Sequence, residues 1–577
     1  MITANNFSYS FPQKDLFNNI SFTLEEGQHC AFIGTSGSGK STLLDIIMNP
    51  DRYLYDRTLD IATPCRIGYV SQFSQAELAN EVTVFEYIAE EFIELQDELS
   101  SIYTEMETSS DLDALLEHYQ ETLDSYNAIG GDDFEQVIRR KLNLANLNKL
   151  ENQMVSKLSG GEFKIIQVIR EMLNSPDLMI MDEPDVFLDF DNLNSLKNLI
   201  NSHKGTMLVV THNRYLLNNC FNKILHLENM ELQDFDGTYI DYNFSLLQRK
   251  IELQELSTAD TEEIERNEKI IERLRSKADY DADAARGKAL KARIKIKDRL
   301  EARRVKDPFV DIKQPDIQLD TDNVIEDTLV LTVSDYSVAF DEILIEHVNL
   351  EIKSNEKVAL IGANGTGKTT LLRDIYKNNH PSIQMREDSK VAYLSQLQGE
   401  ILNEANTILN EFLDAGFKTN NEVQSYLLNY GFEEEHLKQK IDSLSGGEKN
   451  ILQVAKVTAT KATLLLLDEP TSHLDTYSQI ALEKAIKEFN GAVLMISHDF
   501  YTIVNCVDSV LIIDNKTVRK MTVRKFRKII YAKYFDKDYL EFRQQKMSLE
   551  TKIARALKDN DIPLAKELSE ELEELIK

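Results

Sequence analysis

Leu158-Ser159-Gly160-Gly161-Glu162 returns as Leu444-Ser445-Gly446-Gly447-Glu448, 286 residues further along the chain. Two more motifs keep that offset: Met181-Asp182-Glu183-Pro184 recurs as Leu467-Asp468-Glu469-Pro470, and His212 as His498. The chain is therefore an internal duplication. The 577 residues leave room for roughly three or four domains, so two modules and further elements fit.

Upstream of the repeated signature each copy carries a complete phosphate-loop pattern, Gly34-Thr35-Ser36-Gly37-Ser38-Gly39-Lys40-Ser41 and Gly362-Ala363-Asn364-Gly365-Thr366-Gly367-Lys368-Thr369. Each loop follows a strand-like apolar run (Ala31-Phe32-Ile33; Val358 to Ile361) and precedes a helical one that begins with Thr42 or Thr370. Glycines let the backbone curl so that its N–H groups face phosphate oxygens, the helix N-terminus adds positive potential, and Lys40 and Lys368 reach the β and γ phosphates. Ser41 and Thr369 supply hydroxyls for Mg²⁺. The fold class that follows is α/β.

The lysines lie 328 residues apart, so the first copy holds 42 extra residues after its lysine. The interval from Gln72 to Ser159 is 87 residues against 49 from Gln396 to Ser445, which places a 38-residue insertion between the first glutamine and its signature. Asp182 and Asp468 end strand-like runs, where a buried parallel strand delivers a carboxylate to a magnesium shell. Glu183 and Glu469, next in sequence, are placed to orient or deprotonate an attacking water. His212 and His498, each 29 residues after its glutamate, are assigned to the γ-phosphate.

The LSGGE motif separates these modules from other phosphate-loop ATPases, and with it both halves resemble nucleotide-binding domains of the ATP-binding cassette (ABC) superfamily. The resemblance implies ATP hydrolysis at two sites formed head to tail. Ser159, Gly160 and Gly161 would then face the ATP held by Lys368, and Ser445, Gly446 and Gly447 the ATP held by Lys40. It also implies Gln72 and Gln396 beside the magnesium. Phe11 and Phe340, about 22 residues upstream of each loop, align with the adenine-stacking position, with a core Phe in a strand as the other reading. The copies differ locally: Glu183-Pro184-Asp185-Val186-Phe187-Leu188-Asp189 stands against Glu469-Pro470-Thr471-Ser472-His473-Leu474-Asp475, and His212-Asn213 against His498-Asp499. These departures lead us to expect slower hydrolysis at the first site.

A net charge of −32 argues against a nucleic-acid partner until its distribution is read. Residues 90–126 hold twelve acidic residues and no Lys or Arg, whereas 286–306 hold ten basic against two acidic, and 516–533 eight basic and none acidic. The insertion, about 88–126, reads as a helical hairpin with seams Ile88, Phe92, Leu95, Leu99, Ile102, Met106 and Leu112, Leu116, Tyr119, Leu123, Tyr126. Its acidic surface suits a basic protein or plain solvent. Residues 243–322 form a helical linker: an ascending helix from Leu246 to Lys277 reaching roughly 50 Å, a turn over Ala278 to Ala285 with Gly287, and a basic returning helix from Lys288 to Arg304. The second module spans 323–535, the first 1–242, and residues 536–577 form a further hairpin with the seam Leu564, Leu568, Leu572, Leu575 and no readable task.

Tandem ABC modules with an inserted arm and a long basic helical linker resemble the ABC-F proteins. That resemblance implies ribosome binding at the tRNA exit site in the ATP-closed form, with the linker near tRNA and ribosomal RNA and the arm near a ribosomal protein. It also implies a monomer that modulates translation; the departure after Glu183-Pro184 from the usual Thr-containing form favours protection from antibiotics over a housekeeping role. No apolar run reaches the ~18–20 residues a membrane span needs, and Met1 to Asn6 shows no basic-then-apolar leader. Cys30, Cys65, Cys220 and Cys506 lack metal or disulfide spacing, so a cytoplasmic protein is expected. A transport ATPase with separate membrane subunits is the alternative, but it leaves the linker and arm without a task. A DNA-repair or chromosome-structural ATPase would need zinc cysteines or a longer coiled coil.

Overall fold

The computed structural model describes residues 1–11, 14–55, 59–61, 65–71, 81–108, 112–278, 291–296, 309–310, 315–321, 328–340, 343–395, 399, 401–535 and 539–577. Two compact units are present: Met1–Asp236 with Lys313–Ile530, and Gly237–Ile312 with Tyr531–Lys577.

In the first unit the duplication is complete down to strand order. The first half has a six-stranded sheet in the order Ile67–Val70, Leu178–Asp182, Thr206–Val210, His29–Gly34, Lys223–Glu228, Glu231–Asp236. The second repeats it as Val391–Leu394, Leu464–Asp468, Ala492–Ile496, Lys357–Ile361, Ser509–Asp514, Thr517–Thr522. In both sheets five strands run parallel and the last turns back antiparallel. A three-stranded antiparallel sheet packs beside each: Lys14–Leu24, Ile2–Phe11, Leu59–Ile61, and Ile343–Lys353, Leu329–Ala339, Ile383–Met385. The central strands Leu178–Asp182, Thr206–Val210, Leu464–Asp468 and Ala492–Ile496 are buried at every position. That is why they read as continuous apolar runs rather than alternating ones. Their carboxyl ends lie beside that of the strand that feeds the phosphate loop, the edge where open parallel sheets bind ligands.

The insertion is the expected helical pair, Val84–Met106 and Leu112–Ala128, opened by a capping box between Thr83 and Glu86. Its second seam keeps Tyr119, Leu123 and Tyr126 and departs from the expected row only at its start. Leu112 and Leu116 are about half exposed, while Leu115, Tyr119, Thr122 and Tyr126 turn inward. The inner row includes the polar Thr122, which hydrophobic counting passes over. The Tyr126 hydroxyl donates to Gly131 O at 2.6 Å and accepts from Gln96 Nε2 at 2.7 Å, which ties the hairpin's foot. The break over Ser109 and Ser110 lies outside the described residues.

In the second unit one helix runs from Tyr239 to Ala278, 40 residues or roughly 60 Å at 1.5 Å per residue. It starts seven residues before the expected Leu246, because Thr238 and Asp241 form a capping box: the Asp241 N–H donates to Thr238 Oγ1 at 3.3 Å, and Thr238 N–H to Asp241 Oδ2 at 3.1 Å. Of the returning basic helix, residues 291–296 are described and helical, and Arg293 donates to buried Asn267 Oδ1 at 2.9 Å. The turn over 279–290 and residues 297–308 lie outside the described residues. The C-terminal hairpin, Tyr539–Lys558 and Ile562–Ile576, packs on the foot of the long helix: Leu549, Ile553, Leu557, Ala565 and Leu572 share an apolar cluster with Ile251. Of the expected seam, Leu568, Leu572 and Leu575 pack in this cluster while Leu564 is exposed, and Ile562, Ala565 and Ser569 are buried beside them.

Candidate active sites

Each phosphate loop lies between a buried strand and a helix, Lys40–Met48 or Lys368–Lys377, as the motif requires. Gly39 at the first helix start has φ 106°, a conformation closed to a side chain, and a Cβ there would press on the Phe17 ring at 3.0 Å. Ser41 and Thr42 occupy the first helical turn, as do Thr369 and Thr370 in the second copy. Lys40 Nζ donates to Gly34 O and Thr35 O, both at 3.0 Å, and Lys368 Nζ to Gly362 O at 2.9 Å and Ala363 O at 2.8 Å. Both lysines are buried, and desolvation lowers their pKa despite the carboxylates around them.

Asp182 and Asp468 sit at their strand ends, buried, each hydrogen-bonded to the hydroxyl after its lysine (Ser41, Thr369); burial raises both carboxyls above the usual range. Glu183 and Glu469 follow at φ 46° and 49°, their N–H groups donating to Val210 O and Ile496 O. These left-handed backbones turn each glutamate from the strand line toward the loop, strain of a kind that clusters at functional sites. His212 and His498 emerge from the neighbouring strands, and burial drives them down to about 4 and about 3, so both imidazoles are neutral. Phe11 is 45% exposed and Phe340 71%, so neither is a core strand residue. Phe340 lines one cleft together with Lys368, Thr369, Thr370, Asp468, Glu469 and His498. Gln72 and Gln396 lie outside the described residues.

The same cleft is closed by Ser159, Gly160 and Gly161 from the first half, against Asn364, Gly365 and Gly367 of the second. The other signature meets the other loop. A Cβ on Gly447 would collide with the Ser36 hydroxyl and come within 2.6 Å of His473 O, and one on Gly37 would lie 3.2 Å from Glu448 Oε1. Ser159 and Ser445 cap the helices Gly160–Leu173 and Gly446–Ala459 through capping boxes with Glu162 and Glu448. Each signature therefore presents a helix N-terminus to the opposite loop.

Several residues at this interface were not singled out by sequence as contacts across it. The segment after each glutamate crosses to the other half's loop. Asp475 Oδ2 accepts from Ser36 N–H at 3.4 Å and Asp189 Oδ2 from Asn364 N–H at 3.3 Å; His473 O accepts from Ser36 Oγ at 3.4 Å and Phe187 O from Asn364 Nδ2 at 2.8 Å. Side chains break this symmetry. His473 Nδ1 lies 3.2 Å from Glu183 Oε2, whereas the equivalent position in the first copy is Phe187, whose ring meets His473 edge-on at 5.7 Å. Burial alone would raise the Glu183 carboxyl, but the His473 hydrogen bond and the charge of Lys40 nearby hold it below the usual range. Glu469 is pushed up to about 7 by burial with Asp468 beside it; its contacts are His498 N–H, donating at 3.2 Å, and His498 Nε2 at 3.6 Å. Asp185, half-buried and accepting from the Thr211 hydroxyl at 2.6 Å, also rises to about 7 through desolvation.

Arg214 of the first half is a second asymmetric tie. It pairs with Glu483 and, at 2.8 Å, with Asp499 of the second half, and its guanidinium lies over Tyr501. The unlike residues after His212 and His498 were visible in sequence. That Asp499 answers Arg214 was not, because 285 residues separate them.

Two phosphate loops, each completed by the other half's LSGGE and by an Asp-Glu pair, define a two-site ATP hydrolase. The family model described as ABC transporter matches residues 17–186 and 345–472, and the chain belongs to that family. Within it the chain is an ABC-F-type ATPase. It is 29% identical over 542 residues to ABC transporter F family member 2 of Arabidopsis thaliana, covering 88% of this chain and 76% of that one. It is 29% identical over 503 residues to the energy-dependent translational throttle protein EttA of Escherichia coli (strain K12), covering 85% and 87%. Among solved structures, a complex of the archaeal ribosomal stalk protein aP1 with the ribosome recycling factor aABCE1 shares the fold, with TM-score 0.55, 18% identity, and 91% and 92% coverage.

Proposed function

We propose that this ATPase is a ribosome-binding switch. ATP seats each phosphate loop on the opposite signature, the closed form binds the ribosome at the tRNA exit site, and hydrolysis releases it. The observation that carries this reading is the segregation of charge. A chain of net charge −32 concentrates ten basic residues in 286–306, while the hairpin at 90–126 carries twelve acidic residues and no Lys or Arg. Phosphate backbones of tRNA or ribosomal RNA match the first, and a basic ribosomal protein the second. The name of the EttA relative, a translational throttle, supports the same reading.

The donor set fits magnesium. Ser41 with Asp182, and Thr369 with Asp468, bring a hydroxyl and a buried carboxylate together, and Asp468 Oδ1 has no hydrogen-bond partner among the described residues. When bound, the ion would neutralise charge on the β and γ phosphates. Gln72 and Gln396 complete the proposed ligand set. Lys40 and Lys368 exchange their carbonyl partners for phosphate oxygens, neutral His212 and His498 donate to the γ-phosphate, and Glu183 and Glu469 orient the attacking water. Phe11 and Phe340 stack on adenine. The specialised task is protection of ribosomes from antibiotics; a housekeeping translational role is the competing outcome.

The Glu183→Gln/Glu469→Gln double variant, which retains ATP, tests the proposal by co-sedimentation with ribosomes. Retention with ATP and not with ADP is expected. Migration with membranes instead would move the chain to the transport class. Growth on a panel of ribosome-targeting drugs, with and without the wild-type chain, separates protection from housekeeping.

A further inference from the structure

His473 and Phe187 occupy equivalent positions in the duplication, 286 residues apart, both with left-handed backbone at φ 59° and 66°. The frame around them is shared: each backbone carbonyl accepts from the opposite phosphate loop, and two residues on an aspartate accepts from that loop's N–H. Only the side chain differs, and it lies where the glutamate beside the reacting phosphate is held. Glu183 receives the His473 imidazole from across the interface at 3.2 Å, with side chains 17% and 10% exposed. Phe187, at the same place beside the other site, has no hydrogen-bonding group to offer Glu469.

We infer that His473 is a positioning residue supplied in trans to the first site: its ring fixes the carboxylate of Glu183 for the attacking water, and the second site, with Phe187 in that place, works without such a partner. The inference rests on the reading of Glu183 as the water-orienting carboxylate. Its consequence is a one-way link between the halves. Turnover at Lys40 requires the second half's His473 to be seated, because a hydrogen bond 3.2 Å long is lost once that segment withdraws by about an ångström. Turnover at Lys368 requires only that its backbone frame be closed.

The test uses the full chain with one site silenced at a time. In the Glu469→Gln background, His473→Phe lowers single-turnover hydrolysis at the first site by about tenfold, with equilibrium ATP affinity unchanged, and His473→Gln, which retains a donor, recovers most of the rate. In the Glu183→Gln background, His473→Phe leaves the second site within about twofold. In the nucleotide-free protein the ¹⁵N signals of the His473 ring shift on Glu183→Ala. An unchanged or faster first site in His473→Phe, an equal fall at both sites, or a lost affinity for ATP would each overturn the inference. If Glu183→Gln itself leaves the first site at full speed, the assignment of Glu183 fails, and the positioning role with it.

Discussion

The segments Asp185-Val186-Phe187-Leu188-Asp189 and Thr471-Ser472-His473-Leu474-Asp475 run the same path across the interface and carry different chemistry. Around them the pattern repeats. Arg214 bridges Glu483 and Asp499, while its counterpart in the duplication is Phe500. Strand Lys223–Glu228 holds a fully buried His226 where strand Ser509–Asp514 holds Ile512. The closing strand is acidic in the first copy, with Glu231, Asp234 and Asp236, and basic in the second, with Arg519 and Lys520. What stayed constant is what any ATP site needs from backbone: strand order, loop curvature, capped signature helices. What diverged are side chains that touch the other half or the outside, so each half is specialised as a neighbour rather than as an enzyme.

The largest effect should come from Arg214→Ala. It removes the guanidinium from two carboxylates, the Glu483 side chain only 7% exposed, and loss of one partner of a buried pair costs about 3–5 kcal/mol. Chemical denaturation should register that loss; a change below about 1 kcal/mol would mean that the tie is cosmetic.

Next comes acid sensitivity. Burial, then Lys40 and His212 nearby, lowers His226 from its ordinary range to about 3, so the folded protein keeps it neutral while the unfolded chain protonates near pH 6.5. The contribution of a neutral buried His is thus complete above the unfolded value and is lost as pH falls below it. His226→Ile, copying the second half, should lessen the acid sensitivity by about 1.4 kcal/mol per pH unit, or about 2 kcal/mol at pH 5. Parallel stability curves for wild type and variant between pH 7 and 5 would refute this.

The smallest contrast is between signatures. Gly447→Ala meets a backbone oxygen, His473 O, at 2.6 Å, whereas Gly161→Ala meets only the amide ends of Asn192 and Asn364 at 3.0 and 3.1 Å. Overpacking against backbone costs about 1–3 kcal/mol, so Gly447→Ala should reduce steady-state ATPase about tenfold more than Gly161→Ala. Equal reductions would show that the two interfaces are equally compliant.

Much of this was legible because it is local. Phosphate loops, five-residue apolar strands and capped signatures each declare themselves within a dozen residues, and the repeat doubles every signal. The helical hairpins were legible as elements and in most of their seams, but at the start of each second helix the exposed Leu116 and Leu564 stood in for Leu115 and Ala565. The inner rows include Thr122, Ser569 and Ala565, which carry little hydrophobic signal. The early start of the helix Tyr239–Ala278 was written in Thr238 and Asp241, a capping box with aspartate in the usual glutamate place. Pairs such as His473–Glu183 and Arg214–Asp499 were not legible, since nothing local marks which residues meet across 290 or 285 intervening positions.

The C-terminal hairpin gives the long helix a mechanical property. Besides the apolar cluster around Ile251, Gln254 Nε2 donates to Leu557 O at 2.6 Å, Thr258 to Asn560 at 3.2 Å, and Lys566 pairs with Glu255 at 2.7 Å. These grips fall on the first half of the 40 residues, from Phe244 to Thr258. The hairpin thereby gives the helix a built-in root, and the bending of such a beam under a given force falls steeply as more of its length is clamped. Shortening the hairpin would remove grips from that root without changing the helix itself, so the last 40 residues of the chain contribute to the stiffness of an element that begins 300 residues earlier.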